Sequence, residues 1–168
     1  MPVKSKVTTQ EIDRGYAKFQ KSVEAVKDQP FIKIGILAED ADKVKAEGIN
    51  LAGIAAVNEF GTDRAGRGKN IVIPERSFIR STMDEEKNYF YRITKNALNN
   101  IVMGADIFKE FSIIGLAISS AIKKKITDLR EPPNAPSTIR RKGSSNPLID
   151  TGRMRASVRH KVVLEGDE

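Results

Sequence analysis

Asp150, Thr151 and Gly152 form the tripeptide on which aspartic proteases build their catalytic loop, and Leu148 and Ile149 supply the apolar approach to it. That chemistry needs two carboxylates sharing one proton at close range. A single copy per chain would demand a symmetric dimer, and only 16 residues follow Gly152, too few to build a substrate cleft. Arg153 and Arg155 would also hold Asp150 ionised and oppose a shared proton. A structural role suits the residues better. Asp150 is expected to cap the turn that follows it, and Gly152 to permit a tight bend.

The segment "GTDRAGRGKN" (61–70) is a second candidate, because Gly61 and Gly66 have the spacing of a phosphate-binding P-loop. Such a loop needs lysine and then serine or threonine after the second glycine, between a strand and a helix. Here Arg67 and Gly68 follow, and a helix is expected before the loop, so the segment reads as an exposed, mobile connection. The carboxylates Asp84, Glu85 and Glu86 fall in the first turn of an expected helix, where the macrodipole favours them. The chain has no cysteine and one histidine, His160, which removes thiolate chemistry and any cysteine-based metal site. No catalytic group, metal or cofactor is expected.

Charge is the strongest remaining signal. The formal net charge is +7, and residues 121–161 carry 11 basic against 3 acidic side chains, whereas residues 1–120 are nearly balanced. Arg140, Arg141, Lys142, Arg153, Arg155 and Arg159 lie in this basic third. No aromatic residue is interleaved with them, so base stacking on a single strand is not expected; contact with phosphates or with an acidic protein surface is.

The elements that must position these residues follow from periodicity. Ile12, Tyr16, Phe19, Val23 and Val26 predict an amphipathic helix over 9–28, capped by Thr8 or Thr9 and stopped by Pro30. Residues 31–38 read as a strand with Ile32, Ile34 and Ile36 on one face. Residues 50–60 read as a short helix ended by Gly61, and 71–78 as an extended piece limited by Pro74. Two long helices are predicted over 80–101 and 106–129. The second carries Ile107, Phe111, Ile114, Ile118, Ile122, Ile126 and Leu129 on one stripe. A short basic helix capped by Ser137, a turn near Gly152 and a last strand over 157–165 complete the chain. The expected fold is α+β in a single domain spanning 1–168, with 1–8 and 166–168 flexible. One mainly antiparallel sheet from 31–38, 71–74 and 157–165 would lie under the long helices. No apolar run is long enough to cross a membrane, and no signal-type segment opens the chain.

Three segments in order, "IAAVNEFGT" (54–62), "IPERSFIRSTMDE" (73–85) and "PPNAPSTIRRKGSSNPLIDTGRMRASV" (132–158), resemble the tail-completion or neck proteins of tailed bacteriophages, a group that includes minor-tail-Z-like and virion-morphogenesis proteins. The family pattern corresponds to Asn58–Thr62, to Pro74, Arg76, Ser77 and Phe78 (with Ser77 where a second proline is usual), and to Pro147–Ser157. The resemblance implies a non-enzymatic virion component at the head–tail junction, assembled in the host cytoplasm as a homo-oligomeric ring, expected to be hexameric. Its partners would be neighbouring neck and tail proteins, with transient contact to packaged DNA. Phe78, Arg80, Arg153 and Arg155 are then the expected contact residues. Arg140, Arg141, Lys142 and Arg159 would face a DNA channel or a partner, and Gly61, Pro74, Asp150 and Gly152 would shape turns. The competing reading from the residues alone is a non-specific nucleic-acid-binding accessory protein.

Overall fold

The isoleucine stripe of residues 107–128 organises the core. A computed structural model describes residues 13–27, 29–37, 45–46, 49–66, 68 and 70–164. In chain order the elements are α1 (Tyr16–Lys27), β1 (Phe31–Ile36), β2 (Lys45–Ala46), β3 (Ile49–Asn50), α2 (Leu51–Phe60), β4 (Thr62–Ala65), β5 (Ile71–Ile73), α3 (Arg80–Glu85), α4 (Lys87–Val102), α5 (Ile107–Asp128), α6 (Pro136–Lys142), α7 (Arg153–Ala156) and β6 (Val158–Val163). The fold is α+β, as the alternation of periods predicts.

Helix α5 starts where Asp106 accepts the Lys109 N–H at 2.7 Å. Its Ile114, Ile118, Ile122 and Ile126 are buried against Phe78, Phe90, Leu148, Met154 and Val158. One flank of α5 packs on α4, whose Phe90, Ala97 and Ile101 are buried, and another on the ribbon of β1 and β6. That ribbon is antiparallel, with Ile32, Ile34 and Ile36 opposite Val162, His160 and Val158. The period-2 isoleucines of β1 are therefore the face that packs on the core.

The sheet departs from expectation. Residues 71–73 do not join β1 and β6; they pair with β4 in a separate hairpin that turns at Gly66, and Pro74, which has no N–H, follows directly. The loop expected over 61–70 is thus partly a strand. The predicted helix over 80–101 is two helices meeting at Glu86, whose N–H bonds the Thr82 carbonyl at 3.0 Å. Three adjacent carboxylates sit at this seam, and starting a new helix there places Glu86 at a favourable N-terminus.

Helix α1 departs in a different way. Asp13 accepts the N–H groups of Gly15 and Tyr16 at 2.8 and 2.6 Å; Thr8 and Thr9, expected as caps, and Ile12 lie outside the described residues, as do parts of the segment 38–48. These N–H donors lower the Asp13 pKa. The helix docks on α4 through Ser22, whose hydroxyl donates to the Ile101 carbonyl at 2.5 Å. Its apolar stripe is left in solvent: Tyr16 is 66% exposed, Phe19 46%, Val23 43% and Val26 42%.

One close contact sets the spacing of α5 and β6. A Cβ on Gly115 would lie 2.5 Å from Cδ2 and 2.9 Å from Cβ of His160. Gly115→Ala should destabilise the fold by roughly 1–3 kcal/mol in urea unfolding, because the imidazole is caught near its base and cannot swing away. Adding His160→Ala should recover much of that loss. Equal cost with or without the imidazole would show that the contact does not set the packing.

Candidate functional site

The end of α2 presents an acid in an unfavourable place. Glu59 stands in the last turn, where the helix dipole repels negative charge, and it is only 4% exposed. Its stabilisation comes from elsewhere in the chain. Oε2 accepts the N–H groups of Phe78 and Ile79 at 2.8 and 2.9 Å. Oε1 accepts the Arg80 N–H at 2.9 Å, the Ser77 hydroxyl at 2.8 Å and Arg80 Nε at 3.2 Å. These N–H groups open α3, which has no capping side chain of its own at Ile79. Glu59 supplies that cap from about twenty residues upstream. Burial pushes the Glu59 pKa up, but the backbone donors and Ser77 outweigh it and hold the carboxyl below its ordinary value of 4.5.

Arg80 closes the arrangement. Its Nη2 donates to the Glu59 carbonyl and to Glu75 Oε1, both at 2.8 Å, and its guanidinium lies 4.6 Å from the Phe60 ring centre. Arg76 runs the other way. Its N–H bonds the Asn58 carbonyl at 2.7 Å, while Nε and Nη2 donate to the carbonyls of Pro132 and Pro133 at 2.7 and 2.9 Å. The side chain is buried, which lowers its pKa, but a guanidinium keeps its charge in proteins. Gly61 must be glycine for two reasons: φ is 71°, and a Cβ would lie 2.8 Å from the Glu75 nitrogen.

From Pro133 the chain continues through α6, which has Pro136 in its first turn and ends at Gly143 with φ 67°. Its N-terminal flanking residue is Ala135, so Ser137 lies inside the helix and does not cap it. Asn146 then does several jobs. Its Oδ1 accepts the N–H groups of Leu148 and Ile149 at 2.9 and 3.0 Å, and its Nδ2 donates to the Thr127 carbonyl at 3.0 Å. Its own carbonyl accepts from Lys142 Nζ at 3.1 Å and from Asn134. Leu148 and Met154 are buried, Gly152 has φ 77°, and Val158 opens β6 with no exposure.

The expected site residues sort accordingly. Phe78 is in the core with no exposed surface, so it is not a contact residue; the turn that Pro74 begins points it inward against α5. Arg80 is half exposed but is committed to Glu59 and Glu75. Asp150 is exposed and accepts no hydrogen bond among the described residues; Gly152, not Asp150, precedes α7, and the cap expected of Asp150 is replaced by the Asn146 bonds. Arg153 and Arg155 are exposed on either side of buried Met154. Arg140 and Arg141 are exposed on α6, whereas Lys142 is half buried; burial lowers its pKa, with Asp150 opposing that shift. Arg159 is exposed on β6 opposite Gly35.

No family model, curated protein or solved structure matches this chain. Among the described residues, no cluster of histidine, aspartate or glutamate is arranged to hold a metal ion, and no helix is long and apolar enough to cross a membrane. A surface cleft lined by Arg76, Ser77, Lys125 and Glu131 among others is wide open.

Sequence reasoning placed Glu59 and Arg76 in the family pattern without assigning them a role, and it missed Thr127 and Asn146. For Glu59 a signal was present: an acid in the last turn of an apolar helix has no local reason to be there.

Glu59→Ala should cost about 3 kcal/mol or more, since it leaves buried N–H donors without an acceptor. Glu59→Gln should cost less, because one oxygen still accepts. A carboxyl whose pKa is lowered on folding contributes stability that is complete above pH 4.5 and is lost as pH falls through the lower folded value. The stability difference between the native chain and Glu59→Gln should therefore narrow between neutral pH and about pH 3. A difference that stays constant across that range would remove Glu59 ionisation from the stability of the fold.

Proposed function

We propose that this chain is a structural subunit of the neck of a tailed bacteriophage, a tail-completion protein that forms a homo-oligomeric ring at the head–tail junction and joins the tail to the DNA-filled head. The observation that carries this reading is the clasp. The three segments that resemble the family are distant in sequence, yet Glu59 and Arg76 bind parts of all three to one another. Segments that carry the resemblance thus meet in one structural unit, which supports the reading.

The exposed apolar surface supports the oligomer. Isolated exposed side chains need no explanation, but a helical stripe does. Tyr16, Phe19, Val23 and Val26 form one on α1, and α4, on which α1 docks, exposes Tyr91, Leu98 and Val102 at helical spacing. A ring of identical copies joins two different patches on each subunit, so more than one apolar patch per chain fits it. Phe78 is buried and takes no part in this surface.

Two experiments test this reading. In sedimentation velocity at about 20 µM, the native chain should run as a closed oligomer, and Phe19→Asp with Val23→Asp should run as a monomer with an unchanged circular dichroism spectrum. A native chain that stays monomeric alone and in the assembled particle would sink the ring. In infected cells, deletion of the gene should give filled heads and separate tails with few joined particles; normal yields of infectious virions from the deletion would refute the joining function.

A further inference from the structure

The C-terminal end of α5 gathers cations around one residue. Thr127 accepts Arg130 Nη1 on its carbonyl at 2.6 Å and Arg155 Nη1 on its hydroxyl at 3.3 Å, while that hydroxyl donates to the Lys123 carbonyl at 2.9 Å. The same carbonyl accepts Asn146 Nδ2, which ties the loop after α6 to this point. Two guanidinium groups from different parts of the chain thus share Thr127 as an acceptor. The nearby carboxylates offset only part of the charge: Asp128 is engaged by Lys124, Glu85 by Lys125 and Glu75 by Arg80, which leaves Glu86, beside Lys124, with Glu131 and Asp150. Lys123, Arg130, Arg140, Arg141, Arg153 and Arg155 are in excess.

The partner class follows from what surrounds them. Among the described residues, no large apolar side chain after Leu116 is exposed. Protein interfaces need a buried apolar centre, and this pole has none, whereas α1 and α4 do. It has no aromatic side chain on which a base could stack. What it offers is guanidinium groups, whose fork matches phosphate oxygens. They are carried on fixed supports: α6 lies between Pro136 and Gly143 and is pinned by Lys142, and α7 is anchored by buried Met154.

We propose that this pole, centred on Thr127, binds the phosphate backbone of duplex DNA without sequence preference. The phosphates would bridge guanidinium groups that share Thr127 as an acceptor, relieving their mutual repulsion. The inference rests on the charge and geometry of this pole and not on the neck assignment, and it stands or falls separately from ring formation.

The test measures binding of the full-length chain to a labelled duplex of about 30 base pairs by fluorescence anisotropy, from roughly 50 to 200 mM salt. With about five phosphates neutralised, the logarithm of affinity should fall against that of salt with a slope of roughly −4 to −5, equally for unrelated sequences. Arg153→Gln with Arg140→Gln should reduce the magnitude of that slope by about 2 and weaken binding tenfold or more at the lowest salt. Neither guanidinium is used in a described hydrogen bond, so folding should be unaffected. Lys18→Gln with Lys21→Gln on α1 should change neither quantity by as much. Absence of binding at the lowest salt would overturn the proposal, as would equal loss from the α1 pair. Polyglutamate that competes as well as duplex would assign the pole to an acidic protein instead, and a strong preference for one sequence would overturn backbone recognition.

Discussion

A single buried carboxylate joins the end of α2 to the start of α3. Glu59 ends α2 against the helix dipole, and its charge is tolerable only because α3 begins beside it with uncapped N–H groups. Each helix end corrects the defect of the other. The arrangement is directional, since both oxygens are used and the donors come from four consecutive residues. It places Phe78 in the core against α5 and puts Arg80 over Phe60, and α4 follows directly from α3. Gly61 and Pro74 are shaped around it, with the first too close to Glu75 for any side chain.

Arg76 extends the same logic. It is a buried cation whose hydrogen-bond partners are carbonyls, including two from prolines, which cannot donate a competing N–H bond. The irregular stretch after α5 has little regular structure of its own, so its path is set by these point contacts and then by Asn146, which bonds forward to Leu148 and back to Thr127. The turn at the Asp-Thr-Gly tripeptide owes its shape to Asn146, to left-handed Gly152 and to the burial of Leu148 and Met154, and the Asp150 carboxylate contributes no bond to it.

The surface divides along the same lines. Apolar side chains are exposed on α1, α4 and the start of α5, whereas the end of α5, with α6 and α7, exposes cations and no large apolar group. A subunit that joins its own copies through one region and meets DNA with another would carry this division. The proposed neck function and the proposed phosphate contact draw on different parts of it.

The sequence by itself determined the elements whose periodicity is long or strict. The isoleucine stripe specified α5, the alternating isoleucines specified β1, and Gly61, Gly104 and Pro30 marked ends close to where they occur. It also carried the charge asymmetry that became the cationic pole. Only the tertiary structure decided pairing and commitment. Which strand residues 71–73 would join, which way Phe78 would face and which partners Arg80 would take depend on contacts outside each segment: residues 71–73 pair with β4, and Arg80 reaches Glu59, 21 residues upstream. Periodicity reports how a segment divides its own faces; it does not report what covers them. For that reason the stripe of α1, as clear in sequence as that of α5, lies in solvent in the single chain while that of α5 forms the core.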